Sequence, residues 1–273
     1  MTTRQFGIST SLYQRRRLAR EHILEIAAFG FDAIDLVATR THVDYHNVSV
    51  VTDVQQWLGE AGLSLHAIHA PIEFSLSSTD AETRATAVAE VERALHVARR
   101  IQTDVLIVHL GAPRWLSKGP GTESRVAARR SLEELAGTAE PLGVRLALEV
   151  IPNELSRAGS LVHFIEHDLE ELGTRVGVCL DCGHAHIEGN LLDAVDTVSE
   201  HLLAVEIHDN RRRADDHLVP FEGTIDWPAA LTAVQKIGYD GTLVFELGPQ
   251  GSPKDALKKT GVARQRIERC MYT

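Results

Sequence analysis

The run Arg145-Leu146-Ala147-Leu148-Glu149-Val150 decides how the chain is read. It follows Pro141-Leu142-Gly143, a stop signal for the helical pattern that spans Thr122 to Ala139. A short, nearly continuous apolar run after a helix and a glycine is the mark of a strand buried on both faces of a parallel sheet. The glutamate inside it is out of place, because an unpaired buried carboxylate costs several kcal/mol. The strand therefore carries a charge to a position where something offsets it.

Seven further runs repeat this pattern: Phe6 to Thr10, Ala33 to Val37, Ser64 to His69, Val105 to His109, Val176 to Asp181, Leu203 to His208 and Leu243 to Leu247. Turn signals such as Gly30-Phe31-Asp32, Ala61-Gly62-Leu63 and Gly238-Tyr239-Asp240-Gly241 precede them. Ser78-Thr79-Asp80 predicts a capped helix over about Ala81 to Arg100, with Ala87, Val91, Ala94, Leu95 and Ala98 at spacings of three and four. Asp226 to Lys236 reads as another, with Pro228 in its first turn. Eight strands alternating with about eight helices over 273 residues predict an α/β fold, a single (β/α)8 TIM barrel filling residues 1–273 as one domain. A doubly wound open sheet is the competing topology. No Gly-x-Gly-x-x-Gly follows the first strand and no phosphate-loop motif occurs, which favours the barrel.

The active site of such a barrel lies at the C-terminal ends of its strands. Metal-capable residues gather there: His69 ends the third run, His109 the fourth, Asp181 the sixth and His208 the seventh. Glu149 and Glu246 stand one residue before the ends of the fifth and eighth. The strands contain almost no Lys or Arg, so a divalent cation is the expected counter-charge for Glu149, Asp181 and Glu246. Asp181-Cys182-Gly183-His184 adds His184 through a glycine-containing turn, and Asp215 with His217 forms an Asp-x-His pair for which Asp216 is the register alternative. Arg211-Arg212-Arg213 reads either as a solvated loop or as a clamp on a substrate anion, with Arg211 as the candidate contact. Trp115 is a candidate to stack on a sugar face, and Cys179 and Cys182 read as packing residues.

Composition sets the outer limits. With 28 Lys and Arg against 38 Asp and Glu, a net charge of −10 argues against a nucleic acid partner or an anionic lipid surface. Three cysteines point to a reducing compartment. Met1 to Arg20 has no apolar signal core and no run of about 18 apolar residues occurs, so a cytoplasmic protein with no membrane partner is expected. Barrels often pair, which leaves a homo-oligomer open.

In these segments the chain resembles the xylose isomerase-like barrels, which include sugar phosphate isomerases and epimerases and apurinic endonucleases of the endonuclease IV type. The resemblance is carried by His66-Ala67-Ile68-His69-Ala70-Pro71, Val108-His109-Leu110-Gly111, Ala147-Leu148-Glu149, Cys179-Leu180-Asp181-Cys182-Gly183-His184-Ala185-His186, Val205-Glu206-Ile207-His208-Asp209-Asn210 and Asp216-His217-Leu218-Val219-Pro220. Gly223-Thr224-Ile225-Asp226-Trp227 extends it toward the C-terminus.

The resemblance implies two site plans. In the epimerase-like plan one divalent ion, zinc or manganese, is held by Glu149, Asp181, His208 and Glu246, and the two glutamates serve as catalytic acid and base. In the endonuclease-like plan three zinc ions use nine residues: His69, His109, Glu149, Asp181, His184, His208, Asp215, His217 and Glu246. The implied activity is an isomerase or epimerase acting on a small carbohydrate-like molecule, namely a sugar, sugar phosphate or polyol derivative. The alternatives are a zinc-dependent phosphodiester hydrolase, a metal-dependent dehydratase or lyase, and a barrel that binds metal or sugar without turnover. One departure is visible: the further glutamate of the keto-sugar epimerases, six residues after the first metal glutamate, falls on Leu155.

Overall fold

The computed structural model describes residues 4–114, 116, 122–249 and 251–272. Eight parallel strands, β1 (Phe6–Ser9), β2 (Ala33–Val37), β3 (Ser64–His69), β4 (Val105–Val108), β5 (Arg145–Glu149), β6 (Val176–Asp181), β7 (Leu202–Ile207) and β8 (Leu243–Phe245), close in sequence order into a barrel. Closure is direct, since Phe6, Gly7 and Ile8 of β1 align with Leu243, Val244 and Phe245 of β8. Around it lie α1 (Arg20–Ala28), α2 (Val48–Ala61), α3 (Ala81–Ile101), α4 (Thr122–Leu142), α5 (Ala158–Asp168), α6 (Cys182–Glu188), α7 (Leu191–Thr197), α8 (Trp227–Lys236) and α9 (Pro253–Tyr272). The open doubly wound sheet is thereby excluded. No helix of the described residues is long and apolar enough to cross a membrane.

Alternation along each strand divides the buried residues between two cores. Leu146 and Leu148 of β5 join the large core between sheet and helices, while Ala147 joins a small cluster inside the barrel with Ala67, Val105, Ile107, Cys179 and Ala204. These small side chains fill the lumen floor. The next inward position on β5 is Glu149 and on β6 is Asp181, so the strand pattern itself lifts the carboxylates to the open end.

The boundaries differ from the sequence reading by a residue or two. Thr10 leaves β1 for a single 3-10 turn, Thr10–Tyr13, and its hydroxyl accepts from Val37 N at 3.0 Å. His109, His208 and Glu246 stand one position beyond their strands, although the ladder continues weakly, with Glu246 N donating to Ile207 O at 3.2 Å. Asp80 caps α3 as expected, accepting from Thr83 N at 2.8 Å. α4 runs through Pro141 to Leu142, past the expected stop at Ala139, and ends where Gly143 adopts a φ of 67°.

Candidate metal centre

The β6 to α6 junction builds the core of the site. Asp181 ends the strand and caps the helix, its Oδ1 accepting from His184 N at 2.8 Å. That turn points His184 back over the barrel mouth. Gly183, between them, is required by close approach: a Cβ there would lie 2.0 Å from Cε1 of His208. Gly183→Ala is therefore expected to push the His208 ring aside, lower stability by about 1–3 kcal/mol as overpacking does, and weaken metal retention. Denaturant midpoints and metal content measured on the same preparation check it, and a variant equal to wild type in both refutes the close fit.

All nine predicted donors converge. Glu149 Oε2 accepts from His69 Nε2 at 2.9 Å and from His109 Nε2 at 2.6 Å, and its Oε1 lies 3.1 Å from His184 Nδ1. His208 Nε2 is 3.0 Å from Asp181 Oδ1, and Asp215 Oδ2 lies 3.2 Å from His184 Nε2 and 3.0 Å from His217 Nε2. His217 Nδ1 reaches Glu246 Oε2 at 3.4 Å, which closes the chain of contacts. The donor atoms form overlapping groups within 4.8 Å: His69, His109 and Glu149; Glu149, Asp181 and His184; Asp181, His208 and Glu246; and His184, His208, Asp215 and His217.

Electrostatics fit a cation site. Burial pushes the Glu149 carboxyl up, but the imidazoles of His109, His184 and His69 outweigh it and hold the group well below the usual carboxylate range. Asp181 and Asp215 are likewise lowered against their burial by the histidines around them. Burial pulls His69 down, yet its hydrogen bond and charge contact with Glu149 leave it raised to about 9. His217, also opposed by burial, is raised to about 10 by Glu246 and Asp215. Three donor atoms of the cluster, His184 Nδ1, His208 Nδ1 and Asp215 Oδ1, are buried with no hydrogen-bond partner. His184 Nδ1 is near Glu149 Oε1 without forming a hydrogen bond to it. Buried donor atoms left unsatisfied within a cluster of imidazoles and carboxylates match ligands for an ion.

The loop after β7 supplies Asp215 and His217 under strain, with positive φ at Arg212 (63°), His217 (43°) and Phe221 (75°). It settles the register alternative, because Asp215 faces the cluster while Asp216 Oδ2 accepts from Arg211 N at 3.2 Å. Arg211 itself donates from Nη2 to Glu222 O at 3.1 Å and is exposed, away from the cavity lining. Trp115 lies outside the described residues. Sequence reasoning missed three buried carboxylates: Asp35 on β2, Glu206 on β7 and Asp209 at the base of the loop. The same signal that singles out Glu149, a carboxylate in an apolar run, would have found the first two.

A cavity of about 320 Å³ opens above the centre. His69, His109, Glu149, His184, Asp215, His217 and Glu246 line its floor, Ser11, Gln14 and Thr39 offer neutral polar groups, and Ile72, Pro113 and Leu116 add apolar surface. No Lys or Arg lines it among the described residues.

Comparison with known proteins bears on this arrangement. A sequence profile of the xylose isomerase-like TIM barrel family matches residues 23–267. A D-psicose 3-epimerase of Enterocloster bolteae is 24% identical over 261 residues, covering 89% of this chain and 81% of that protein. The crystal structure of a D-tagatose 3-epimerase-like protein superposes with a TM-score of 0.84 at 24% identity, over 97% of this chain and 98% of the other. The crystal structure of the IOLI protein with a bound zinc atom superposes with a TM-score of 0.81 at 16% identity, over 98% of this chain and 99% of the other.

Proposed function

The chain belongs to the xylose isomerase-like TIM barrel family, and on that premise we propose that it is a sugar isomerase or epimerase that works with a divalent metal on a small polyhydroxy carbonyl compound. The observation that carries this reading is the shared cavity of Glu149 and Glu246, two carboxylates beside a convergent set of metal donors. The relatives named for ketohexose epimerisation and the zinc held by the IOLI protein support it. Glu149, Asp181, His208 and Glu246 would hold the ion, zinc or manganese. When bound, such an ion polarises a carbonyl and so acidifies the neighbouring C–H.

The chain's own residues do the rest. Glu246, at the open end of β8, is placed to take a proton from a carbon beside the carbonyl, and Glu149 to act as its counterpart in returning one. Ser11, Gln14 and Thr39 are neutral hydrogen-bonding groups suited to sugar hydroxyls. Their neutrality favours an unphosphorylated substrate.

Incubation in D2O with D-psicose, D-tagatose and other ketohexoses tests the proposal. Deuterium should enter the substrate at the carbon next to the carbonyl, and a chelator should stop it. A metal-loaded, folded protein that exchanges none of them overturns the reading. One observation favours a second reading, since three of the overlapping donor groups contain the three sets that the resemblance implies for a three-zinc plan. Cleavage of an abasic duplex by a preparation carrying three ions, without sugar exchange, would select a phosphodiester hydrolase instead.

A further inference from the structure

Two more carboxylates lie inside the barrel that the proposed reaction does not use. Glu206 on β7 and Asp35 on β2 are fully buried. Each is half satisfied: Cys179 Sγ donates to Glu206 Oε2 at 3.4 Å, and Ala67 N donates to Asp35 Oδ1 at 3.0 Å. Their other oxygens, Glu206 Oε1 and Asp35 Oδ2, have no hydrogen-bond partner. The histidines that offset Glu149, Asp181 and Asp215 form no hydrogen bond or ion pair with Glu206 or Asp35 among the described residues. Two buried acidic groups with orphaned oxygens, in a lumen otherwise floored by alanine, valine, isoleucine and cysteine, are either neutralised by a proton or met by a cation.

Donor geometry supplies a place for it. Atoms of His69, Glu206 and Glu246 lie within 4.8 Å of one another, and all three residues are buried. Glu206 belongs to no donor grouping with Glu149, Asp181 or His208 among the described residues, so an ion held by those three leaves it out. We propose that His69, Glu206 and Glu246 hold a further divalent cation, distinct from the ion of the reaction, with Asp35 beside it as additional negative charge. Glu246 is the shared ligand. Carboxylates outnumber imidazole at this position, which favours a hard ion of the manganese or magnesium class over zinc. Held there, the ion would fix one side of the Glu246 carboxylate and so act as a positioning group. The inference stands apart from the choice of substrate.

The test uses the full chain stripped of metal and titrated with Mn2+ alone. Bound manganese per chain is counted for wild type and for Glu206→Gln, which keeps the volume and removes the charge. The variant should bind one ion fewer per chain and hold the remaining manganese with unchanged affinity. Crystals of wild type grown with Mn2+ should show anomalous density beside Glu206, a result that needs no variant to fold. Equal manganese counts in the two proteins, or an anomalous peak at Asp181 and His208 with none beside Glu206, overturns this inference while leaving the proposed function standing. Absence of any bound manganese or zinc in wild type overturns both.

Discussion

Replacing Glu246 with Gln is expected to lower turnover by about 10²- to 10⁴-fold, the span that a positioned acid or base contributes. The side chain stands at the end of β8, lines the cavity and is 9% exposed, so it meets a substrate without being flooded by solvent. Glutamine preserves shape and leaves in place the hydrogen bond between His217 Nδ1 and the Glu246 backbone carbonyl at 3.1 Å. What it loses is the capacity to take a proton. Because Glu246 also groups with Asp181 and His208 as a donor, metal content has to be measured beside turnover. Lost turnover with metal retained supports the proton-transfer role. Parallel loss of metal and turnover reduces Glu246 to a ligand, and unchanged turnover removes it from the chemistry.

The same residue shows how far the sequence alone could go. A carboxylate inside Leu243-Val244-Phe245-Glu246-Leu247 is legible because apolar runs buried on both faces have no ordinary use for charge. That argument reaches Glu149 and Asp181 as well, and the turn signals place all three at one rim. It applies equally to Ala33-Ile34-Asp35-Leu36-Val37 and Leu203-Ala204-Val205-Glu206-Ile207-His208. In the latter the histidine two positions on dominates the signal, although both side chains point into the lumen. Spacing does not separate Asp215 from Asp216, because the choice depends on the path of the loop, in which His217 takes a φ of 43°, and loop path leaves no mark in a residue pattern. Arg211 follows the same logic. Its direction is set by the Glu222 carbonyl it bonds, a contact eleven residues away that no local pattern encodes.

Asp209 holds that strained loop, and Asp209→Ala is expected to cost about 3–5 kcal/mol, since each buried donor left without its acceptor costs about 1–3 kcal/mol. The carboxylate is fully buried and accepts four hydrogen bonds: from Asn210 N at 2.9 Å, Phe221 N at 3.0 Å, Ile225 N at 3.2 Å and Trp227 Nε1 at 2.9 Å. Alanine leaves all four donors without an acceptor, three of them on the far side of the loop. Gly223 packs against the same group so closely that a Cβ there would lie 2.2 Å from Asp209 Oδ1. The loss should reach the metal centre, because Asp209 and Leu218 exchange backbone hydrogen bonds at 2.8 Å and His217 is the residue before Leu218. A lowered urea midpoint together with weaker metal retention is the expected pair of results. A lowered midpoint with full retention would mean that the backbone bridge alone positions Asp215 and His217. An unchanged midpoint would mean that the loop is held by its own turns, and that the four bonds to Asp209 add nothing beyond what water returns.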